Sequence, residues 1–331
     1  MYPPRTSLYA TVSNLLTGHP SNTRRILSRV GWDGQFSLPD WTRMSRIDGL
    51  VHTILAGALF GTTVPVIKLE LNSNLPPELF LELRFAIASA VIFLLPPRKD
   101  WIQWRIFRSR PIWIVGLVNA AGYVTQFQGQ VLTSSSSAAL MIGTATLMIP
   151  LLSLFHVRER LGQRKITGVV AGFVGTAFVV TRGQELILGS SEFLGDLLIL
   201  FTAVTIALVF VLSKSLVGKS GARPVTGGML LLTSLFVLPT LPLDQNPKVT
   251  LSLTEWLGIV YLAIFATVGG YYFFMKGLET VSPTVSSVIL PIEVIVAVVL
   301  SVILFRDPFN FYSAAGAVLI IAGVALVSTS S

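Results

Sequence analysis

The chain has no cysteine among its 331 residues and three histidines, His19, His52 and His156, set far apart. Without cysteine there is no disulfide framework and no thiolate metal or redox chemistry. No H-E-x-x-H, no Gly-x-Ser-x-Gly elbow and no Walker loop occurs, so the sequence predicts no enzyme, no cofactor and no metal, and ATP-driven pumping would need another subunit. Charge is also scarce, 12% of residues against 52% hydrophobic. A soluble domain so composed could not cover its surface with polar groups, whereas a lipid-facing one can. The net charge of +8 does not point to nucleic acid, because the basic residues lie between apolar runs instead of clustering on a polar surface.

What is abundant is apolar sequence. Mean hydropathy is +0.73, and runs long enough to cross hydrocarbon, about 17 to 25 residues each, recur from Leu50 almost to the C-terminus. We place ten spans, at 49–68, 77–95, 112–131, 136–155, 166–181, 194–214, 225–243, 255–275, 284–305 and 311–328. Pro76-Pro77, Pro96-Pro97, Pro111, Pro242, Pro247 and Pro308 fall around their ends, where a missing backbone donor costs little. The expected class is an all-α polytopic protein with the lipid bilayer as its main solvent.

Basic residues set the expected orientation. With the N-terminus cytoplasmic, the inner loops hold Arg98, Lys99, Arg105, Arg108, Arg110, Arg158, Arg160, Arg164, Lys165, Lys214, Lys219, Arg223 and Lys276. The outer ones hold Lys68, Arg182, Lys248 and Arg306. Both termini are therefore expected on the cytoplasmic side. Residues 1–47 carry six arginines, no lysine and no glutamate. They read either as a basic tail ending in an interfacial amphipathic stretch, the stronger reading, or as a transit peptide, which would place the protein in an organelle membrane instead of the plasma membrane.

Sliding the sequence on itself by 148 residues brings Gly122-Tyr123 onto Gly270-Tyr271, Gly129 onto Gly277, Gly168 onto Gly316, Gly175 onto Gly323 and Asp48 onto Asp196. The repeat, 48–181 and 194–328 with a linker at 182–193, is five spans long. An odd number of spans inverts the second copy, which is how secondary transporters build two related gates around one midplane site.

On these residues the chain resembles an EamA-type member of the drug/metabolite transporter superfamily. The likeness rests on Gly61-Thr62-Thr63-Val64-Pro65-Val66-Ile67-Lys68, Leu83-Arg84-Phe85, Arg158-Glu159-Arg160-Leu161 with Gly168, Gly195-Asp196-Leu197, Pro291, and Asp307 with Gly316. It covers residues 48–328. It departs where the second half has Asp307-Pro308 against Glu159-Arg160 in the first. The resemblance implies two inverted five-helix repeats, a cavity lined mainly by spans 1, 3, 4, 6, 8 and 9, and alternating access without ATP. It leaves the substrate open.

Glu293, near the middle of span 9, is the leading candidate for a site, since an ionisable group there costs at least about 2.5 kcal/mol. Desolvated, it could carry a proton; the bland alternative is a carboxylate satisfied by a neighbouring helix. Pro291 opens the helix ladder beside it, as Pro65 and Pro150 do in spans 1 and 4, for a ligand, a hinge or a tolerated kink. Tyr123 and Tyr271 occupy equivalent repeat positions and read either as two aromatic walls or as packing. Asn119, Gln126 and Gln130 share a face of span 3 as substrate contacts or as interhelical glue. Thr62, Thr63, Thr144 and Thr146 are mild polar groups that a helix can satisfy by itself. Lys68 and Arg84 are expected to snorkel to the outer surface, with an outer gate or charge contact as the alternative. The small-residue faces of spans 5 and 10 read as close packing or a dimer face, so monomer and homodimer both stay open.

The function these features predict is a secondary transporter of a small organic metabolite, amino-acid-like or otherwise neutral or zwitterionic, working by alternating access, with uniport, exchange and proton coupling through Glu293 all open. The alternative is a channel-like or structural membrane protein, which would need a continuous polar stripe that the sequence does not show. An intramembrane enzyme ranks third.

Overall fold

The computed structural model describes residues 40–73, 75–95, 98–157, 163–181, 190–243, 250–281, 283, 286, 291–306 and 310–328. The tail before Asp40, the Arg158-Glu159-Arg160-Leu161 motif, Asp307, most of the linker and the side chains of Pro150 and Pro291 lie outside the described residues. The helical bundle belongs to one compact unit that begins at Ser45.

Hydrocarbon offers the backbone no partners, so a spanning segment must bond to itself as a helix. The regular structure among the described residues is accordingly helical. In order it comprises α1 (Asp40–Gly61), α2 (Thr63–Leu71), α3 (Pro77–Leu94), α4 (Arg98–Trp101), α5 (Arg110–Leu132), α6 (Ser135–Gly143) and α7 (Ala145–Val157). It continues through α8 (Gln163–Thr181), α9 (Ser191–Ser220), α10 (Ala222–Val237), α11 (Leu253–Tyr261), α12 (Gly270–Thr280), α13 (Pro291–Phe305) and α14 (Phe311–Ser328). Pro77 and Pro111 sit in the first turns of α3 and α5, where no donor is required. Among the described residues, Ile47–Leu71, Ser191–Ser220, Ala222–Pro242 and Leu253–Thr280 are by length and composition apolar enough to cross a membrane. Ile54, Leu55, Val170, Phe173, Phe201 and Ile303 point outward, while Thr202, Thr205, Thr233 and Ser301 are buried. Apolar outside and polar inside is the pattern of a lipid-solvated bundle.

Three of the predicted spans are interrupted. The first breaks between α1 and α2 at Thr62, whose hydroxyl donates to the Leu59 carbonyl at 2.7 Å. Pro65, one turn on, withholds the donor that the Gly61 carbonyl would otherwise receive. The fourth breaks between α6 and α7 at Thr144, whose hydroxyl donates to Met141 O at 2.6 Å. The eighth runs from α11 to α12 through a π-helical stretch, Leu262–Gly269. Such widened turns gather at functional sites because they re-aim side chains.

The duplication appears as repeated contacts. Lys68 donates to the carbonyls of Gln130 and Thr133 at 2.7 and 2.9 Å, closing the end of α5. Lys214 donates to Leu278 and Val281 at 2.5 and 2.9 Å, closing the end of α12. The acceptors correspond under the 148-residue shift, but the lysines correspond two residues short of it. Gly49 and Gly195 follow the lysine register: a Cβ on Gly277 would lie 3.1 Å from the Gly49 carbonyl, and one on Gly129 2.9 Å from that of Gly195. Asp48 and Asp196, matched in the sequence, are therefore not structural equivalents; Asp196 accepts from the Thr133 hydroxyl at 2.6 Å. Lys68 does not snorkel outward, and Lys214, whose place in the sequence marks it as a topology determinant, has the same capping task.

The glycine faces of spans 5 and 10 meet each other within one chain. A Cβ on Gly175 would lie 2.7 Å from the carbonyl oxygen of Gly316, and one on Gly316 would lie 2.6 Å from that of Gly175. Backbone against backbone cannot yield. Gly316→Val should abolish recovery of folded protein, measured as the monodisperse fraction in detergent. Lys214→Met should lower unfolding free energy by about 1.5–3 kcal/mol, the worth of a charged hydrogen bond, read by thermal or denaturant unfolding.

Candidate functional site

The two mid-span breaks flank one small cavity. It is lined by Phe60, Thr63, Val64, Tyr123, Gln126, Ile142, Ile206, Phe210, Tyr271 and Glu293. Gly61 lets α1 approach α13, since a Cβ there would stand 2.7 Å from the Glu293 carbonyl. The Gly143 position faces the Val294 side chain in the same way, so the breaks in spans 1 and 4 both abut α13 beside Glu293. The space for water-sized centres is about 30 Å³, enough for one or two waters and too little for a metabolite.

Three polar groups face this cavity without partners. Glu293 makes no hydrogen bond or ion pair among the described residues, and neither does the Gln126 amide, whose residue is 4% exposed. Thr63 Oγ1 is buried and unbonded. Buried polar groups are ordinarily paired, and Thr63 Oγ1 is not; with Gln126 and the half-buried Glu293 it gives this space three polar groups free to receive a ligand.

Behind the aromatic walls lies a second polar layer. Arg84, expected near the outer surface, is instead fully buried. Its Nε donates to Thr267 Oγ1 at 2.7 Å and its Nη2 reaches the Tyr123 hydroxyl at 3.5 Å. The guanidinium carbon stands 4.8 Å from the Tyr123 ring centre and 5.6 Å from that of Phe85. Ring faces carry negative charge density and so help to hold a buried cation. The correction has a physical reason: the π-helical stretch turns Thr267 toward α3, giving Arg84 an internal acceptor that a hydropathy profile cannot reveal. Opposite, Tyr271 donates to Asn119 Oδ1 at 2.7 Å, and Asn119 Nδ2 donates to Thr233 at 2.9 Å. Asn119 and Thr267 are equivalent under the 148-residue shift, as are Tyr123 and Tyr271, whose rings face each other at 6.5 Å and 64°. The layer is symmetric about the cavity.

Of the site residues expected from the sequence, Thr63, Tyr123, Gln126, Tyr271 and Glu293 meet at the cavity. Asn119 and Arg84 support its walls. Thr62 accepts from the Tyr261 hydroxyl at 3.0 Å and, like Thr144 and Thr146, bonds its own helix. Gln130 donates to the Val64 carbonyl at 3.3 Å as glue between helices. Lys68 holds a helix end and does not line the cavity. Pro291 begins α13, two residues before Glu293. Phe60, Val64, Ile142, Ile206 and Phe210 escape a reading of the sequence, because apolar residues in apolar spans carry no signal alone. The lysine register would have found four of them: it pairs Phe60 with Ile206 and Val64 with Phe210.

A helical, lipid-solvated bundle with duplicated halves around a small polar cavity belongs to the class of membrane transporters. The EamA-like transporter family matches twice, over residues 48–181 and 193–329, and the chain belongs to that family. An "Uncharacterized transporter" of Archaeoglobus fulgidus is 28% identical over 76% of this chain and 89% of its own length. The "Uncharacterized transporter YetK" of Bacillus subtilis is 25% identical over 83% and 84%. "Protein PecM" of Dickeya dadantii is 23% identical over 83% and 91%. A solved crystal structure at 22% identity shares the fold with a TM-score of 0.62, covering 84% of this chain and 96% of that one.

Tyr271→Phe keeps the ring and removes the bond to Asn119. It should lower unfolding free energy by about 0.5–1.5 kcal/mol in denaturant titration. Arg84→Met leaves Thr267 and Tyr123 unpaired and should cost more than Tyr271→Phe in the same assay.

Proposed function

We propose that this transporter is a secondary carrier that moves a small organic metabolite by alternating access around the Glu293 cavity, with Glu293 carrying the coupling proton. The observation that carries the reading is the set of unpartnered groups, Thr63, Gln126 and Glu293, in a cavity closed by aromatic walls. A carboxyl among apolar residues is held more cheaply neutral than charged, so it exchanges a proton for a solute group as the cavity opens to either side. Tyr123 and Tyr271 are the other titratable groups in the described lining, and Arg84 stands behind Tyr123, bonded through Nε and Nη2 to Thr267 and Tyr123. The solute is a small metabolite without net negative charge, amino-acid-like in size. A channel would need a continuous wet path; here Phe60, Phe210 and the two tyrosines wall off room for one or two waters.

Proteoliposomes with an imposed pH gradient and a labelled metabolite panel provide the test. Wild type should concentrate at least one solute, and Glu293→Gln should reach only the equilibrium ratio. Equal, gradient-indifferent flux in both would remove Glu293 from coupling, and no flux of any solute would overturn the carrier itself.

A further inference from the structure

We infer that the cavity is an ammonium site: it takes a small organic cation whose charged nitrogen pairs with Glu293 against the rings of Phe60, Phe210 and Tyr271, and it disfavours solutes that present a free carboxylate. This narrows the carrier reading and rests on it.

Glu293 is the one charged residue in the described lining. An ionised carboxylate in a dry site needs a cation, and no basic side chain belongs to the described lining; Arg84 keeps one unpaired nitrogen, Nη1, behind the wall. Arg84 is bound to Thr267 and Tyr123 and does not reach the lining. Lys68 and Lys214 are bonded to the carbonyls at the ends of α5 and α12. With no basic side chain in the described lining, the counter-cation comes from outside the chain, as a proton or as part of the cargo.

The walls suit an organic cation. Phe60 meets Tyr271 at 5.2 Å and 70°, and Phe210 at 6.4 Å and 25°, so three rings enclose the space beside the carboxylate. Ring faces attract ammonium groups, most strongly where water is excluded. Arg84 already occupies a face of Tyr123 at 4.8 Å and Phe274 stacks on one face of Phe210 at 3.8 Å, so a ligand would meet Phe60, Tyr271 and the opposite side of Phe210. The Gln126 amide oxygen and the Thr63 hydroxyl supply the acceptors an N–H or hydroxyl on the cargo would need. A cargo carboxylate would find only Glu293's own negative charge and no basic side chain in the lining.

The aromatic and aliphatic frame of the cavity is matched across the two halves, but the polar groups are not. The repeat places Ala145 opposite Glu293 and Phe274 opposite Gln126, and the lysine register places Val209 opposite Thr63. The frame serves both halves, whereas the polar set is built once, as a directional site for one charged group requires.

Ligands matched in shape separate charge from size. Purified full-length protein would be titrated by isothermal calorimetry with tetramethylammonium, choline and ethanolamine. Glycine betaine adds a carboxylate to the same head group, and 3,3-dimethylbutan-1-ol replaces the charged nitrogen by carbon. At least one ammonium ion should bind roughly tenfold or more tightly than both controls, a difference of about 1.4 kcal/mol. Glu293→Gln, checked for monodispersity, should lose that preference, and Phe60→Leu should weaken binding several-fold. Equal binding of betaine or the alcohol, retained ammonium affinity in Glu293→Gln, or no ammonium binding would each overturn the inference. Flux of the same ligands in proteoliposomes separates the two readings. Transport without ammonium preference keeps the carrier and removes this site, while selective binding without flux keeps the site and removes the carrier.

Discussion

Hydrocarbon will not hydrogen-bond, and nearly every feature of this chain answers that constraint. Backbone groups bond within helices, and at the interruptions the Thr62 and Thr144 hydroxyls add a second donor to the Leu59 and Met141 carbonyls, which also accept from the backbone. Helix ends need acceptors satisfied too, and Lys68 and Lys214 reach across the bundle for them. Arg84, the most expensive group to bury, is held by a hydroxyl on one side and aromatic faces on the other. Pairing is not complete elsewhere, since Arg84 Nη1, Trp101 Nε1 and Gln130 Oε1 are also buried without a partner; what sets Thr63, Gln126 and Glu293 apart is that all three line one cavity.

The same constraint decides what could be read from sequence. Span positions were legible because apolar runs and flanking prolines record the bilayer directly. Tyr123, Tyr271 and Glu293 were legible because a polar or ionisable group at mid-span is conspicuous in one dimension. Arg84 and Lys68 were misplaced for the converse reason. A cation near a span end snorkels unless acceptors from another helix arrive at its depth, and the Thr267 hydroxyl and the Gln130 and Thr133 carbonyls come from segments at least 62 residues away. The offset of the first spans, which misaligned Asp48 with Asp196, was hidden because two residues scarcely alter an apolar helix in a sequence comparison.

Duplication and asymmetry divide the work between fold and cargo. Asn119 and Thr267, Tyr123 and Tyr271, Lys68 and Lys214 are pairs, and each pair fixes an equivalent joint in its own half. Thr63, Gln126 and Glu293, which line the cavity, have no such twins. A substitution at a paired position disturbs one of two similar supports, whereas one at Glu293 or Gln126 changes a feature present once. Architecture and selectivity are thus carried by separate sets of residues in this chain.

The contact between Gly175 and Gly316 bears on how such a molecule can move. Two helices touching through bare backbone have no side-chain cushion, so sliding one along the other drives carbonyl oxygens into chain atoms within a fraction of a helical turn. The last helix of each half is thereby locked to its counterpart like the two leaves of a riveted spine. Rearrangement around the cavity then falls to the spans already broken at Thr62, at Thr144 and through Leu262–Gly269, which bend where the spine cannot.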